Sequence, residues 1–211
     1  GDKERFAIDQ FLMRGGSAII ASSKYSMADS NQFGGQNSLA VQENDSGLSE
    51  LLAHYGVQIE NTIVLDNQNA AFPIPVTRNV AGIQVEDIQM ISYPGFVDVR
   101  GEQLDKDNVA LAGLPGIVMH WPSPVNFIDS PQSSAKAPLE RSTLMQSSTN
   151  SWAVTNYTAH PNFMDFPKTG WETSEDTQDY PLAVSLMGSM QSFYANSTPP
   201  HLSQDDKSQS G

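Results

Sequence analysis

The sequence predicts an α/β fold with a mainly parallel central sheet, flanking helices and loop-rich inserted β segments. Helical and apolar strand segments alternate over the first third of the chain, at residues 3–14, 17–22, 47–55 and 62–66. Such alternation is typical of layered folds built on a parallel sheet. The strand that should precede the first helix is missing. We therefore expect a sheet that is incomplete at its N-terminus and a chain that is a soluble piece of a longer protein.

Glycines follow both predicted helices. The first helix has an apolar stripe and is followed by Gly15-Gly16, and the second is followed by Gly56. Glycine adopts the left-handed conformation that ends many helices without steric cost. A short apolar segment follows each of these glycines. We expect the helix at 3–14 to pack on one face of a sheet that contains the segments at 17–22 and 62–66.

The middle of the chain departs from this pattern. Seven prolines interrupt short apolar runs in residues 67–136, which predicts a loop-rich insertion with a few strands. Residues 139–145 and 181–187 are the next strong strand candidates. We expect one domain over residues 1–196 and a disordered tail over 197–211, because the tail has too few apolar side chains to fold.

The composition excludes several functions. The chain has 211 residues, with 11 Lys and Arg against 24 Asp and Glu, so its formal net charge is −13. This charge argues against a general phosphate-binding surface for nucleic acid and against electrostatic attachment to anionic lipid. There is no cysteine, which excludes disulfides, cysteine-ligated metals and thiol nucleophiles.

No metal or phosphate motif is present, and we predict no cofactor. The four histidines have no partner at metal-ligand spacing; they are His54, His120, His160 and His201. Acidic residues at 102–107 lack the spacing and the closing Glu of a calcium loop. Gly15-Gly16 follows a helix, whereas a phosphate loop needs glycines that lead into one.

Hydroxyl side chains are concentrated in one short segment. Ser147, Ser148 and Ser151 follow a predicted strand, and His160 and Asp165 come soon after them in sequence. There is no nucleophile-elbow motif, and a serine triad requires these groups to meet in space. The segment therefore predicts a turn whose hydroxyl groups bond to local backbone amides.

Four blocks, taken in order, carry a family resemblance. They are Asp9-Gln10-Phe11-Leu12-Met13-Arg14-Gly15-Gly16; a second block with Leu48, Leu51, Leu52, Gly56, Val57 and Asp66; Leu144 to Trp152; and Tyr180 to Tyr194. Together they resemble the extracytoplasmic domain of ABC-type transport auxiliary proteins. The gliding-motility ABC transporter auxiliary component is the best-known relative.

This resemblance implies a class I glutamine amidotransferase-like, flavodoxin-like fold without the catalytic Cys, and no enzyme activity. It also implies a location on the periplasmic side of the bacterial inner membrane, anchored by segments outside this chain. The implied partners are the ABC permease and ATPase subunits of the same system. Asp9, Arg14 and Asp66 would be framework residues, and Ser148, Ser151 and Trp152 are the candidate contacts for a partner or ligand.

Three functions remain open at this point. The first is a non-catalytic auxiliary domain, which needs only an exposed contact surface. The second is an extracytoplasmic hydrolase of carbohydrate or ester bonds, which would use Ser151 or paired carboxylates. The candidate carboxylates are Asp87, Asp98 and Asp129. The third is a solute-binding module with an aromatic cleft. Its candidate residues are Trp121, Trp152 and Trp171.

Overall fold

The computed structural model describes residues 1–30, 38–130, 139–196 and Pro200. Those residues form two α-helices, α1 (Asp2–Met13) and α2 (Ser49–Tyr55). Neither described helix has the length and apolar character needed to cross a bilayer. The strands are β1 (Tyr25–Ser30), β2 (Ser38–Glu43), β3 (Val57–Ile59), β4 (Ile63–Asp66), β5 (Asn69–Val80), β6 (Ile83–Arg100), β7 (Gly116–His120), β8 (Val125–Phe127), β9 (Glu140–Gln146), β10 (Ser151–Val154) and β11 (Pro181–Met187).

The strands form several small antiparallel sheets. The largest has three strands in the order β5-β6-β7, and the two-stranded sheets are β1-β2, β3-β8, β4-β10 and β9-β11. Every pairing between these strands is antiparallel. The prediction of a mainly parallel central sheet, and with it the flavodoxin-like fold, is therefore wrong.

The error has a physical cause in the first third of the chain. Parallel neighbours need long crossover connections, usually α-helices, and only two α-helices are present in the described residues. Residues 17–22 form no strand, and Ile19 within them is fully exposed. Residues 63–66 do form β4, but β4 pairs antiparallel with β10.

The predicted insertion contains the largest sheet of the described residues, within 69–120, where the sequence predicts only a few short strands. β5 and β6 pair along most of their length, and β7 pairs with the last five residues of β6. Pro94 and Gly95 lie inside β6, and two further prolines lie inside β5. Proline usually interrupts central strands, which is why the sequence predicts a loop-rich segment here.

Several local predictions are confirmed. Helices α1 and α2 occupy the predicted segments, and Gly15 and Gly56 have left-handed φ angles of 83° and 91°. Strands β9 and β11 match their predicted ranges within one residue. The tail predicted at 197–211 lies outside the described residues, apart from Pro200, and the single-domain assignment stays a prediction.

Strand β4 lies between two hydrophobic clusters. All four of its residues are buried, and alternate side chains point to opposite faces. Val64 packs with a cluster that contains Val97, Val99, Leu104 and Leu182. Ile63 and Leu65 pack with Tyr25 and Trp152 on the other face. The strand therefore brings its last residue, Asp66, into the interior beside the serine-rich turn.

Candidate functional site

Asp66 and Ser148 form a buried hydrogen-bonded cluster. The antiparallel pairing of β4 with β10 places Asp66 opposite Ser151, next to the turn at 147–150. The Asp66 carboxylate accepts from the Ser148 backbone N–H at 2.7 Å and from the Ser148 hydroxyl at 2.6 Å. It also accepts from the Gln68 N–H at 2.7 Å. Asp66 is fully buried, so these three donors take the place of water around its oxygens.

Ser147 and Ser151 form a second chain of hydrogen bonds in the same turn. The Tyr180 N–H donates to Ser147 Oγ at 2.8 Å, and the two serine Oγ atoms are 2.6 Å apart. Ser151 Oγ donates to the Gln178 carbonyl at 2.6 Å, with the Ser148 carbonyl also 2.8 Å away. Ser148 Oγ accepts from the Asn150 N–H at 3.1 Å. The prediction that these hydroxyls bond to local backbone amides is confirmed at Ser148, whereas the amide that donates to Ser147 belongs to the distant Tyr180.

The predicted contact residues lie inside the protein. Ser148 is 6% exposed, Ser151 is 0% exposed and Trp152 is 3% exposed. Contact of these three side chains with a partner or ligand would require the surrounding turn to open, and it stays a prediction. None of the described hydrogen bonds of the Ser151 hydroxyl goes to His160, and both His160 and Asp165 are exposed. The fold therefore seals this serine away from the surface.

Asp9 forms a comparable cluster at the N-terminal helix. Its carboxylate accepts from Tyr55 Oη at 2.5 Å, Ser192 Oγ at 2.7 Å and the Phe193 N–H at 2.7 Å. Gln10 Nε2 adds a fourth donor at 3.0 Å. Burial alone would raise the pKa of Asp9, but the hydrogen bonds from Ser192, Tyr55, Phe193 and Gln10 outweigh it, and the pKa is lowered. Asp9 thus joins α1 to α2 and to the C-terminal segment.

The acidic residues proposed for glycoside chemistry do not form a close pair along β6. Asp87 and Asp98 are 11 positions apart on that strand, which corresponds to roughly 35 Å, far beyond the ~5–9.5 Å of catalytic carboxylate pairs. Asp87 forms an ion pair with Arg78, and Asp98 forms one with Arg100. Within the described residues, no three His, Cys, Asp or Glu side chains are arranged to hold a metal ion.

One of the three tryptophans lines a surface cleft. Trp171, Tyr157 and Phe166 contribute to a cavity of about 490 Å³, with Glu43 and Glu172 also in its wall. Burial raises the pKa of Tyr157, and the neighbouring Tyr93 raises it further. Trp152 packs in the cluster beside β4, and Trp121 packs against two of the buried clusters. Trp171 and Trp152 are both 3% exposed members of buried clusters, and of the three tryptophans Trp171 alone also reaches the wall of this cleft.

An exposed hairpin extends from the three-stranded sheet, and we call residues 73–91 the hairpin arm. Its strands pair without interruption from Pro73–Met90 to Val80–Ile83, and residues 77–90 are exposed. Ala81 and Gly82 connect them with φ angles of 53° and 86°, as in a type I′ turn. The exposed large apolar side chains of the arm are Val80 (57%), Ile83 (68%), Val85 (44%), Ile88 (68%) and Met90 (58%).

A family model described as an ABC-type uncharacterized transport system matches residues 1–211, the whole chain. The chain belongs to this family of ABC transport auxiliary proteins. The resemblance inferred from the four sequence blocks is therefore confirmed. No curated protein and no solved structure matches the chain significantly. Membership places the auxiliary protein in an ABC transport system and implies partners within that system.

The family blocks of this auxiliary protein coincide with its buried polar clusters. Asp9 lies in the first block, Asp66 in the second and Ser148 in the third, while the fourth block contributes Ser192. The framework role expected for Asp9 and Asp66 agrees with their burial. Arg14, in contrast, is exposed at the C-cap of α1.

The sequence predicts no hairpin at the position of the hairpin arm of the auxiliary protein. Its turn is Ala-Gly, a weaker signal than the Asn-Gly or Asp-Gly that usually marks a type I′ turn. The alternation of Val80, Ile83 and Val85 with polar residues was the available signal.

Proposed function

We propose that this chain is the non-catalytic, extracytoplasmic part of an ABC transporter auxiliary subunit and that it acts by contacting other proteins. The permease and ATPase subunits of the same system are the proposed partners, and the periplasmic side of the inner membrane is the proposed location. The hairpin arm is the observation that carries the proposal. Monomeric proteins rarely expose contiguous apolar patches of this kind unless another molecule covers them.

The arrangement of the serine turn supports a non-catalytic role. A nucleophilic serine needs an exposed hydroxyl, a base within about 2.6–3.2 Å and an orienting acid. Ser151 is fully buried, and its hydroxyl lies 2.6 Å from a main-chain carbonyl oxygen. A buried hydroxyl held in this way strengthens the turn, and it is poorly placed to attack a substrate.

Co-isolation from membranes tests the partner proposal. The natural gene product, tagged and expressed in its own cells, should bring down the permease and ATPase of its system after mild solubilisation. Mass spectrometry identifies the proteins, and an unrelated tagged membrane protein serves as the control. Recovery of the tagged protein without any other transporter subunit would contradict the proposed function.

The absence of cysteine gives a direct test of location. Thr173→Cys places one thiol at an exposed position, and Ser151→Cys places one at a fully buried position. In intact bacteria with a permeable outer membrane, a membrane-impermeant maleimide should label Thr173→Cys without lysis. Ser151→Cys should react only after denaturation. Labelling of Thr173→Cys that requires rupture of the inner membrane would refute an extracytoplasmic location.

A solute-binding module is the second candidate, and the cleft beside Trp171 favours it. Its volume of about 490 Å³ lies within the ~300–1,000 Å³ usual for small-molecule sites. Binding of a panel of mono- and disaccharides, measured by tryptophan fluorescence and by the shift in thermal unfolding, tests this candidate. Saturable binding that weakens in Glu172→Gln and persists in Glu86→Gln, a carboxamide change on the distant arm, would support it.

A further inference from the structure

The two faces of the hairpin arm differ in composition. Directly opposed residues of an antiparallel pair share a face. One face of the arm therefore carries the pairs Val80–Ile83, Arg78–Val85 and Val76–Asp87. This apolar face contains four branched aliphatic side chains and one ion pair, between Arg78 and Asp87. The opposite face carries polar pairs toward the tip, such as Asn79–Gln84 and Thr77–Glu86, and the exposed Ile88 and Met90 nearer the base of the arm.

The arm has no cover within the described chain. From Pro73–Met90 to Val80–Ile83 it extends about 24 Å, and β7 pairs only with residues 96–100 of β6. At Trp121 the chain turns away with a φ of 48°, and the Trp121 N–H donates to the Gly95 carbonyl at 2.7 Å. A two-stranded hairpin is marginally stable in water, so a covering surface would stabilise the arm.

Both edges of the arm are poorly suited to adding another strand. Pro73 and Pro75 remove two N–H donors from β5. On β6 the Ile88 N–H donates to Oδ1 of Asp87 at 2.9 Å, which occupies a donor that a new strand would need. Prolines and charged side chains on an edge strand prevent that edge from pairing with another strand. A partner would therefore contact the side chains of the arm.

Charge distinguishes among the occupants of the apolar face. Arg78 is the only cation in residues 73–91, it pairs with Asp87, and Glu86 adds a further negative charge. Two copies of a chain with a net charge of −13 repel each other. Lipid is disfavoured because the unpaired main-chain groups of the edges would be costly in hydrocarbon, and because the arm has no basic cluster for anionic headgroups.

We propose that the face of Val80, Ile83 and Val85 docks in an apolar groove, rimmed by Lys or Arg side chains, on another protein of the transport system. This proposal rests on the proposed function and specifies its contact. The aliphatic side chains occupy the groove, and the basic rim pairs with Asp87, which lies on the same face of the arm. An apolar centre with a charged rim is the usual composition of a specific protein interface.

Photo-crosslinking in the natural protein, in its own membranes, tests the proposal. A photoreactive amino acid replaces Ile83, and the matched control places it at Ile19, which is fully exposed outside the arm. We expect a crosslink from position 83, and none from position 19, to another protein of the system. In parallel, Ile83→Asp should reduce co-isolation of that protein by about tenfold or more, whereas Ile19→Asp should leave it unchanged. Asp87→Lys, which reverses a charge on the docking face, should weaken binding and reduce its dependence on salt.

The outcomes separate this proposal from the broader function. A crosslink from position 83 to a second copy of the chain, or to lipid alone, overturns the docking proposal. The docking proposal also fails if the partner co-isolates equally with wild type, Ile83→Asp and Asp87→Lys, while the proposed function stands. If wild type co-isolates with no protein of the system, the proposed function fails, and the docking proposal fails with it. Circular dichroism of each variant checks that the fold is retained.

Discussion

Asp9→Ala should be among the most destabilising substitutions of a polar residue in this protein. The Asp9 carboxylate is fully buried and accepts four hydrogen bonds, three of them from residues distant in sequence. A hydrogen bond to a charged group contributes about 1.5–3 kcal/mol, and part of the loss will be recovered as water reaches the site. We therefore expect the free energy of unfolding to fall by about 3–5 kcal/mol.

Asp9→Asn should cost less, about 1–2 kcal/mol. The amide oxygen can still accept from Tyr55 Oη and the Phe193 N–H, which both bond to Oδ1 in the wild type. The amide nitrogen can donate to Ser192 Oγ, because a hydroxyl can act as an acceptor. Only the bond from Gln10 is then lost.

The difference between wild type and Asp9→Asn should depend on pH. The pKa of Asp9 is lowered in the folded protein from its usual value of 3.8. The stabilisation is therefore present above pH ~4 and is lost as the pH falls through the lower folded pKa. Below that pH both proteins carry an uncharged group at position 9, so the two unfolding free energies should converge.

Urea unfolding followed by tryptophan fluorescence, at pH 7 and at pH 3 or below, measures these differences. Asp45→Asn is the control, since Asp45 is exposed and accepts a single bond, from the Gly47 N–H at 2.9 Å. We expect the control to change stability by no more than about 0.5–1 kcal/mol at either pH. A wild-type advantage over Asp9→Asn that is equal at both pH values would refute the reasoning.

Three further predictions concern the serine turn, and urea unfolding measures each of them. Asp66→Ala should lower the free energy of unfolding by about 3–5 kcal/mol, because three donors lose their acceptor; a loss below 1 kcal/mol would contradict this. Trp152→Ala should cost roughly 3–5 kcal/mol and Trp152→Phe clearly less, since the buried Trp152 Nε1 has no hydrogen-bond partner among the described residues. Ser151→Ala should cost about 1–2 kcal/mol and leave an esterase and glycosidase screen at background; turnover by wild type that this variant abolishes would refute a non-catalytic role.

The sequence predicts the local elements better than their assembly. Apolar periodicity and the glycine stops located α1 and α2, and the strong apolar runs located β9 and β11, because these signals depend on residues close in sequence. Strand direction depends on distant pairings such as Ser151 with Asp66, which no local pattern encodes. Residues 17–22 illustrate the same limit. Their apolar run predicts a strand of the sheet, yet Ile19 is exposed, because an apolar run alone does not show which residues will cover it.

The candidate site was predicted in part for the same reason. Ser148, Ser151 and Asp66 were all singled out from the sequence, but their mutual contact joins residues 82 positions apart. Their burial follows from the two clusters around β4, and a run of hydroxyl residues gives no indication of burial. The prolines of β5 made the hairpin arm difficult to predict, because proline usually interrupts a strand. On an edge strand proline instead prevents pairing with another strand and leaves the strand intact.

The link between Asp9 and the C-terminal segment has a consequence for biosynthesis. Ser192 lies 183 residues after Asp9, so a ribosome that adds about 5–20 residues per second makes Ser192 roughly 10–40 s after Asp9. During that interval α1 can bind Tyr55 but not the segment that completes its attachment. A nascent chain that stops before residue 192 would retain most strands and lack the anchor of its first helix.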